Sequence, residues 1–297
     1  MTTLTTTLTT ADLAGIRGPL ADANAAFAAS HPGEPEDRQP AHTVYGGAQL
    51  YKHSTTNRMG ELALRSLEIY APDATTLANA LGWSGKVRVL APGVFEGGVA
   101  KLKREAVEDF RIDFEDGYGN RPDAHEDEEA ARCAGEVAKG MRVKSLPAFI
   151  GIRVKTLSEE MATRALRTLD IFLSTLLAET DGKLPDGFVV TLPKILSAAH
   201  VTAFCDALDC IEAGTGLPIG TIKLELMIET PQSVLGDDGR VILPELVKAA
   251  RGRCRGAHLG TYDYTALIGI TAQHQVMAHP GLDFAKNMMQ VSLAQRG

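Results

Sequence analysis

The sequence predicts an α/β protein with a mainly parallel sheet. From Lys86 onward, short apolar segments alternate with longer amphipathic or alanine-rich segments. The links between them are short and rich in Gly, Pro and Asp, which is typical of βα units. Two apolar segments end in a carboxylate, Glu229 and Asp263. Ligands of parallel α/β folds bind at the carboxyl edge of the strands, so we expect both acids there.

Six βα units are expected in order along the chain. The predicted strands are residues 87–92, 110–116, 148–155, 188–195, 222–229 and 256–261. The predicted helices are residues 97–108, 123–140, 158–179, 197–213, 243–251 and 282–295. An eight-unit barrel needs two more units. The pattern alone therefore predicts either a barrel that is incomplete at its C-terminal end or an open sheet.

The part of the chain before Lys86 has a different pattern. We expect residues 1–84 to form an N-terminal helical extension and residues 85–297 to form the barrel domain. The elements expected in the extension are helices at residues 11–29, 57–70 and 73–82, a proline-interrupted link at residues 31–40, and a turn at Tyr45-Gly46-Gly47.

Composition restricts the class of protein. Of the 297 residues, 44% are apolar and 23% are charged, as in a soluble globular protein. A net charge of −7 and scattered basic residues argue against nucleic-acid binding. The sequence has no apolar run long enough for a membrane span and no secretory signal pattern at its N-terminus. We therefore expect a cytoplasmic protein with neither nucleic acid nor membrane as a partner.

Cysteine spacing supports the same compartment. The chain has no CxxC pair, so free thiols are expected and a zinc site is not. The cysteines are Cys133, Cys205, Cys210 and Cys254.

Three acids at the end of the second predicted strand are the first candidates for a functional site. Asp113 and Glu115 share a strand face, and Asp116 begins the following loop. Such charges are costly unless they meet a cation, water or hydrogen-bond donors. The alternative is a solvated or helix-capping loop. The apolar strand and the two glycines that follow favour a functional site. The acidic run at residues 125–129 begins a helix and is expected to be structural and solvated.

Two basic residues end neighbouring predicted strands. Arg153 should point into a cleft and pair with an anion, either a ligand or a structural acid, and the pattern leaves both open. Lys194 lies at the same edge, and an ordinary solvated lysine is its alternative. Glu225 is expected inside the sheet, paired with a basic residue. His258 is expected to be a core histidine with satisfied hydrogen bonds.

Glu229 and Asp263 are predicted to bind a divalent cation. Thr230-Pro231 ends the strand and leaves Glu229 at its rim, while Asp263 begins a helix and has an N-cap role as its alternative. Hard oxygen ligands suit Mg²⁺ or Mn²⁺, which often keeps only one or two protein carboxylates. GxSxG, GxxxxGKS/T, HExxH and GxGxxG motifs are all absent from the sequence. This disfavours hydrolase, P-loop, zincin and dinucleotide-binding functions.

One ordered set of motifs carries a resemblance to a known family. The motifs are DFED (113–116), IRVK (152–155), LPKI (192–195), MIET (227–230) and GTYDYTALIG (260–269). Together, over about residues 86–270, they resemble the HpcH/HpaI aldolase and citrate lyase β-subunit family, which also includes malyl-CoA lyase. This family belongs to the pyruvate- and phosphoenolpyruvate-binding barrels.

The resemblance implies a fold and a set of site residues. It implies a (β/α)₈ TIM-type barrel with Mg²⁺ or Mn²⁺ held by Glu229 and Asp263. It also implies that Arg153 contacts a carboxylate or enolate oxygen of the substrate, and that Glu115 and Asp116 match an acidic pair beside the metal.

Three further residues of the matching motifs, Lys194, Gly260 and Thr261, are predicted to contact the substrate. The chain departs from the family at Gly117-Tyr118-Gly119, Pro231 and Tyr262, which indicates a divergent member with a different substrate. The segment that often completes the family's site has no visible match before Gly297.

These features predict a Mg²⁺-dependent carbon–carbon lyase or aldolase. Its substrate would be a 2-oxo acid or 3-hydroxy acid, free or as a CoA thioester, and the reaction would pass through an enolate held by the metal. Glu115 or Asp116 would act as the base, and Schiff-base chemistry at Lys194 is less favoured. The alternatives are a phosphoenolpyruvate-type phosphoryl-transfer enzyme and a non-catalytic ligand-binding barrel. A homo-oligomer is expected.

Overall fold

A parallel sheet with helices on its outer surface forms the centre of the computed structural model, which describes residues 6–296. The strands are β1 (Thr43–Gly47), β2 (Asp109–Asp113), β3 (Phe149–Arg153), β4 (Phe188–Leu192), β5 (Lys223–Ile228) and β6 (Cys254–Leu259). The helices are α1 (Thr10–Ser30), α2 (Thr55–Tyr70), α3 (Ala74–Ala80), α4 (Gly85–Arg88), α5 (Ala91–Glu105), α6 (Asp123–Val143), α7 (Ala162–Glu179), α8 (Ala198–Thr215), α9 (Leu243–Ala249), α10 (Thr261–Leu267) and α11 (Asp283–Leu293).

The sheet curls into a half barrel. Each strand pairs in parallel with the next one along the chain, from β1 to β6. The hydroxyl of Tyr45 on β1 lies 3.1 Å from Nδ1 of His258 on β6, so the two edge strands approach each other across the interior. The structure thus confirms the α/β class and a TIM-like arrangement. The described residues supply six strands and not the eight of a complete barrel.

Five of the six predicted strands are confirmed, and the first is wrong. Residues 87 and 88 lie in α4, residues 89 and 90 form a turn, and residues 91 and 92 begin α5. The first strand is instead β1, where a turn was expected. The larger apolar side chains of the rejected segment do not enter the core: Val87 is 48% exposed, Val89 is 79% exposed and Leu90 is 60% exposed. An apolar run of this length is ambiguous between helix and strand.

The two glycines of β1 explain the missed strand. A Cβ atom on Gly46 would lie 2.6 Å from the ring of Phe110, and one on Gly47 would lie 2.3 Å from the carbonyl oxygen of Gly117. The two glycines therefore allow the ring of Phe110 and the backbone of Gly117 to lie close to β1, and they do not form a turn. Residues 1–84 are consequently not wholly helical, while the division at residue 84 stays a prediction.

The hydrophobic core lies between the sheet and the helices that follow each strand. On α7, Leu169, Phe172, Leu173 and Leu176 are fully buried, at the spacing of one helix face. The ring of Phe172 lies 6.1 Å from that of Phe188 on β4. Each such side chain contributes roughly 1.5–3 kcal/mol by burial, so this face fixes α7 against the sheet.

The acidic run of α6 is only partly solvated, which corrects the expectation. Glu126 is fully buried because α6 packs against α7. Its Oε1 accepts a hydrogen bond of 2.6 Å from the hydroxyl of Thr168, and its Oε2 lies 3.0 Å from Nζ of Lys155.

Within residues 6–296, no helix is long and apolar enough to cross a membrane.

A buried ionic layer lies inside the half barrel. Nε and Nη2 of Arg111 donate to the two carboxylate oxygens of Glu225 at 2.9 and 2.6 Å, and Nη1 donates to Asp109. The hydroxyl of Thr191 donates to Glu225 at 3.1 Å. Burial opposes ionisation, yet His258 and Arg111 lower the pKa of Glu225 to about 2. The predicted pairing of Glu225 with a basic residue and the hydrogen-bonded role of His258 are both confirmed.

Replacing Arg111 should be much more costly than replacing an exposed arginine. Arg111→Leu leaves two buried carboxylates without their cation, and loss of one partner of a buried pair costs about 3–5 kcal/mol. Arg58 is a suitable control, since its pair with Glu61 is exposed and such pairs contribute below about 1 kcal/mol. Urea unfolding of Arg111→Leu and Arg58→Leu measures the difference. Equal losses would contradict the role of the ionic layer.

Candidate functional site

The carboxyl ends of four strands meet at the ammonium group of Lys194. Its Nζ lies 2.5 Å from Oε1 of Glu115, 3.2 Å from Oδ1 of Asp116 and 3.3 Å from Oδ2 of Asp263. Its backbone N–H donates to Oε1 of Glu229 at 2.8 Å. The structure therefore brings together acids that follow β2, β5 and β6, around a lysine that follows β4.

Lys194 is held in this position by the turn that follows Pro193. The lysine has a φ of 48°, a left-handed conformation that costs an L-residue roughly 1–2 kcal/mol. Its side chain is only 26% exposed. Although burial lowers the pKa of a lysine, the hydrogen bond to Glu115 and the charges of Glu229 and Asp116 raise the pKa of Lys194 above its usual value. Lys194 is thus a fixed cation and not an ordinary solvated lysine.

Arg153 is fixed by a structural acid and also borders the cluster. Its Nε and Nη2 donate to the two carboxylate oxygens of Asp113 at 2.8 and 2.5 Å. Asp113 also accepts backbone N–H groups of Glu115 and Gly117, each at 2.9 Å. Nη1 of Arg153 is left facing Oε2 of Glu115 at 3.3 Å and Oδ2 of Asp116 at 3.4 Å. Both alternatives for Arg153 thus remain: it forms a structural pair and presents one edge to the site.

The acidic pair after β2 has two different environments. Glu115 is buried and Asp116 is exposed. Burial raises the pKa of Glu115 despite its hydrogen bond from Lys194. For Asp116, burial is outweighed by Lys194 and Arg153, which lower its pKa. Among the residues that the structure describes, Oε2 of Glu115 is buried and accepts no hydrogen bond, although Nη1 of Arg153 lies 3.3 Å away. Neighbouring acids shifted in opposite directions are typical of acid–base sites, so a solvated loop does not describe Glu115.

Glu229 lies against the turn between β6 and α10. It is 2% exposed, and a Cβ atom on Gly260 would lie 2.4 Å from its Oε2. Only glycine at this position leaves room for the carboxylate. Burial raises the pKa of Glu229, Lys194 opposes this shift, and Asp263 adds to it, which places the pKa at about 7.

The turn after β6 positions Asp263 and Thr261. Gly260 precedes α10, and Asp263 lies in the first turn of the helix with its carboxylate directed to Lys194. Asp263 therefore does not serve as the helix N-cap. Thr261 begins α10, and its carbonyl accepts the hydroxyl of Thr265 at 2.8 Å.

The cluster has the oxygen donors and the excess negative charge that suit a divalent cation. Five carboxylates meet two cations in this cluster, which leaves an excess of three negative charges when all are ionised. The carboxylates are Asp113, Glu115, Asp116, Glu229 and Asp263, and the cations are Arg153 and Lys194. Carboxylate oxygens are the ligands that Mg²⁺ prefers. Between residues 6 and 296, no group of three or more His, Cys, Asp or Glu side chains is arranged to hold a metal. A cation held by Glu229 and Asp263 would thus need substrate and water as its other ligands.

Tyr45 is a site residue that the sequence did not predict. The guanidinium of Arg153 lies 5.2 Å from the centre of its ring. The alternation of Thr43, Val44 and Tyr45 was the available signal, but the two glycines that follow suggested a turn.

Beside Glu115 and Asp116 lies a cavity of about 320 Å³ that Lys155 also lines. Two larger cavities, of about 790 and 640 Å³, lie away from this cluster and carry no part of the site.

The fold and the site define an α/β protein with a TIM-like half barrel and a carboxylate-rich cluster at the carboxyl edge of its sheet. The chain belongs to a family described as a domain of unknown function, DUF6986, whose match covers residues 20–297. No protein of curated function matches the sequence.

Solved structures that match the chain include two enzymes. Malate synthase from Haloferax volcanii, in its native form at 3 mM glyoxylate, has a TM-score of 0.52 and 16% identity over 88% of this chain and 63% of that one. A citrate lyase from Burkholderia xenovorans LB400 has a TM-score of 0.44 and 15% identity over 72% of this chain and 57% of that one. The chain thus spans less than two thirds of either structure. The malate synthase likeness supports the TIM-like fold.

The stability of the metal-free protein should depend on the ionisation of Glu229. Its pKa is about 7 in the folded chain against an ordinary value of 4.5. Between about pH 4.5 and pH 7 the folded state therefore binds more protons than the unfolded state. The free energy of unfolding consequently falls as the pH rises through this range. The loss is roughly 3 kcal/mol.

Glu229→Gln removes this ionisable group and should lack that part of the pH dependence. Urea unfolding in a chelator at several pH values between 4.5 and 8 measures it. Glu128→Gln is the matched control, since Glu128 is exposed on α6 and its replacement should leave the wild-type curve unchanged. If the free energy of unfolding depends on pH in the same way for the wild type and for Glu229→Gln, the pKa of Glu229 is not raised in the folded protein.

Proposed function

We propose that the protein is a divalent-metal-dependent carbon–carbon lyase or aldolase. Its substrate is a 2-oxo acid or a 3-hydroxy acid, free or as a CoA thioester. The observation that carries the proposal is the cluster around Lys194, in which Glu229 and Asp263 lie at the carboxyl edge of the sheet beside a buried arginine and an acidic pair. Fold likeness to malate synthase is consistent with this class of chemistry.

Glu229 and Asp263 would hold the cation. When bound, Mg²⁺ or Mn²⁺ supplies a Lewis acid that polarises a substrate oxygen. Arg153 supplies a second positive charge to the same oxygen through Nη1, because Asp113 already occupies Nε and Nη2. Fixed charges directed at developing negative charge are often the largest contribution to catalysis. Lys194 and the turn at Gly260 and Thr261 would contact the carboxylate of the substrate.

Glu115 is the group best suited to move the proton. It is buried, its pKa is raised, and its Oε2 accepts no hydrogen bond from the described part of the chain. In the cleavage direction Glu115 takes the hydroxyl proton of the substrate as the carbon–carbon bond breaks. One fragment leaves as a carbonyl compound. The other keeps the electron pair as an enolate and takes a proton at carbon. Asp116, with its lowered pKa, would stay ionised and balance the charge.

Turnover of 2-oxo and 3-hydroxy acids tests the proposal. We expect release of pyruvate or glyoxylate from one member of such a panel, lost on addition of a chelator and restored by Mg²⁺. Asp263→Ala should abolish turnover, and Arg153→Lys should lower kcat by about 100- to 1,000-fold, as loss of one fixed donor does. Glu128→Gln should keep wild-type rates. Turnover that survives both the chelator and Asp263→Ala would exclude the metal-dependent reaction.

Two other functions are distinguished by the same experiment. Release of inorganic phosphate from phosphoenolpyruvate would favour phosphoryl transfer, although the sequence has no phosphate-binding glycine-rich loop. Binding of a 2-oxo acid without turnover, measured as a metal-dependent rise in Tm, would favour a ligand-binding barrel. We rank both below the lyase, because neither requires the oppositely shifted pKa values of Glu115 and Asp116.

A cytoplasmic homo-oligomer is part of the proposal. Helix α1 has 21 residues and none is buried, and it exposes the apolar side chains Leu13, Ile16, Leu20 and Phe27. An isolated helix of this length is only marginally stable in water. Packing of this face on a second copy of the chain would stabilise it.

Replacing one residue of the α1 face tests the assembly. Sedimentation equilibrium should give a multiple of 31.7 kDa for the wild type and a smaller mass for Leu20→Glu, because a charge on the apolar face opposes its burial. Arg17→Glu, on the same helix but outside the apolar set, is the control and should keep the wild-type mass. A monomeric wild type would contradict the proposal.

A further inference from the structure

Lys194 contacts both residues that would hold the metal, and it does so through two different donors. Its backbone N–H donates to Glu229 at 2.8 Å, and its ammonium lies 3.3 Å from Oδ2 of Asp263. The same ammonium lies 2.5 Å from Glu115. The side chain of Lys194 therefore already occupies the space between the carboxylates with a positive charge.

A divalent cation on Asp263 would compete with this ammonium group for the carboxylate of Asp263. Mg²⁺ binds its oxygen ligands at 2.0–2.1 Å. An ion on Asp263 would thus lie within a few ångströms of Nζ, where two positive charges repel strongly. The backbone N–H of Lys194 is not involved in this conflict, because it can hold Glu229 whichever cation is present.

We propose that the ammonium group of Lys194 is a tethered cation that balances the acids of the metal-free site and is displaced when the divalent cation binds. This inference rests on the proposed function, because it takes Glu229 and Asp263 as the metal ligands. Displacement has a consequence for the substrate. Lys194 is released from Asp263 and Glu115 only after the metal is bound, so it becomes available to an anionic substrate in the metal-loaded protein.

Binding of Mn²⁺ to Lys194→Met tests the displacement. Methionine has a similar length and leaves the backbone N–H in place, but it carries no charge. Isothermal titration with Mn²⁺ alone should give about tenfold tighter binding to Lys194→Met than to the wild type, because no tethered charge has to be moved. Lys194→Arg keeps the charge and should not bind more tightly than the wild type. Lys139→Met is the control for net charge, since Lys139 is exposed on α6, and it should bind like the wild type.

A second measurement locates the ion and monitors folding. In a chelator, Lys194→Met should have a lower Tm than the wild type, because its acids have lost a cation. Saturating Mn²⁺ should close this gap. Asp263→Asn in the Lys194→Met background should weaken Mn²⁺ binding at least about tenfold, as loss of a charged ligand does.

The outcomes separate this inference from the proposed function. Tighter Mn²⁺ binding by Lys194→Met, lost again with Asp263→Asn, supports the tethered cation. If the wild type binds Mn²⁺ and Lys194→Met binds it equally well or more weakly, the tethered cation is wrong. The metal site of the proposed function then still stands. Absence of Mn²⁺ binding by both proteins overturns both.

Discussion

The concentration of negative charge at the carboxyl edge of the sheet is the constraint on which the site depends. Acids from the ends of β2, β5 and β6 converge there, and two cations, Arg153 and Lys194, offset only part of their charge. Burial disfavours the charged form of Glu229, and the nearby charges of Asp263 and Glu115 add to this effect, so the pKa of Glu229 rises to about 7. The arrangement is costly in isolation and becomes favourable when a further cation or a proton is bound.

The ionic layer beneath the site gives this edge its rigidity. Arg111 joins β2 to β5 through Glu225, and Tyr45 joins β1 to His258 on β6. The interior of the half barrel is thus filled by paired polar groups. Such pairs contribute less stability than an apolar core of equal volume, but they tolerate few alternative positions. Because these pairs fix the strands relative to one another, they also fix the positions of the acids at the strand ends.

The pattern of the sequence predicted much of this arrangement. Alternation of short apolar runs with amphipathic segments identified β2 to β6 and the helices between them, because burial on both faces of a parallel strand leaves a distinctive apolar run. The same logic failed at residues 87–92, where an apolar run connects two helices and most of its large side chains are exposed. It also failed at β1, because glycines that permit close contact look the same in a sequence as glycines that form a turn.

Local pattern alone was enough to predict the order of β2 to β6 and the residue types at their ends. Which charges meet became visible only in the folded chain. Nothing local shows that Arg153 is held by Asp113, that Glu126 is buried against Thr168, or that Lys194 contacts Glu115. These contacts join residues 40, 42 and 79 positions apart. Parallel strands bring such distant positions together through their register, and the low dielectric of the interior then decides their charge.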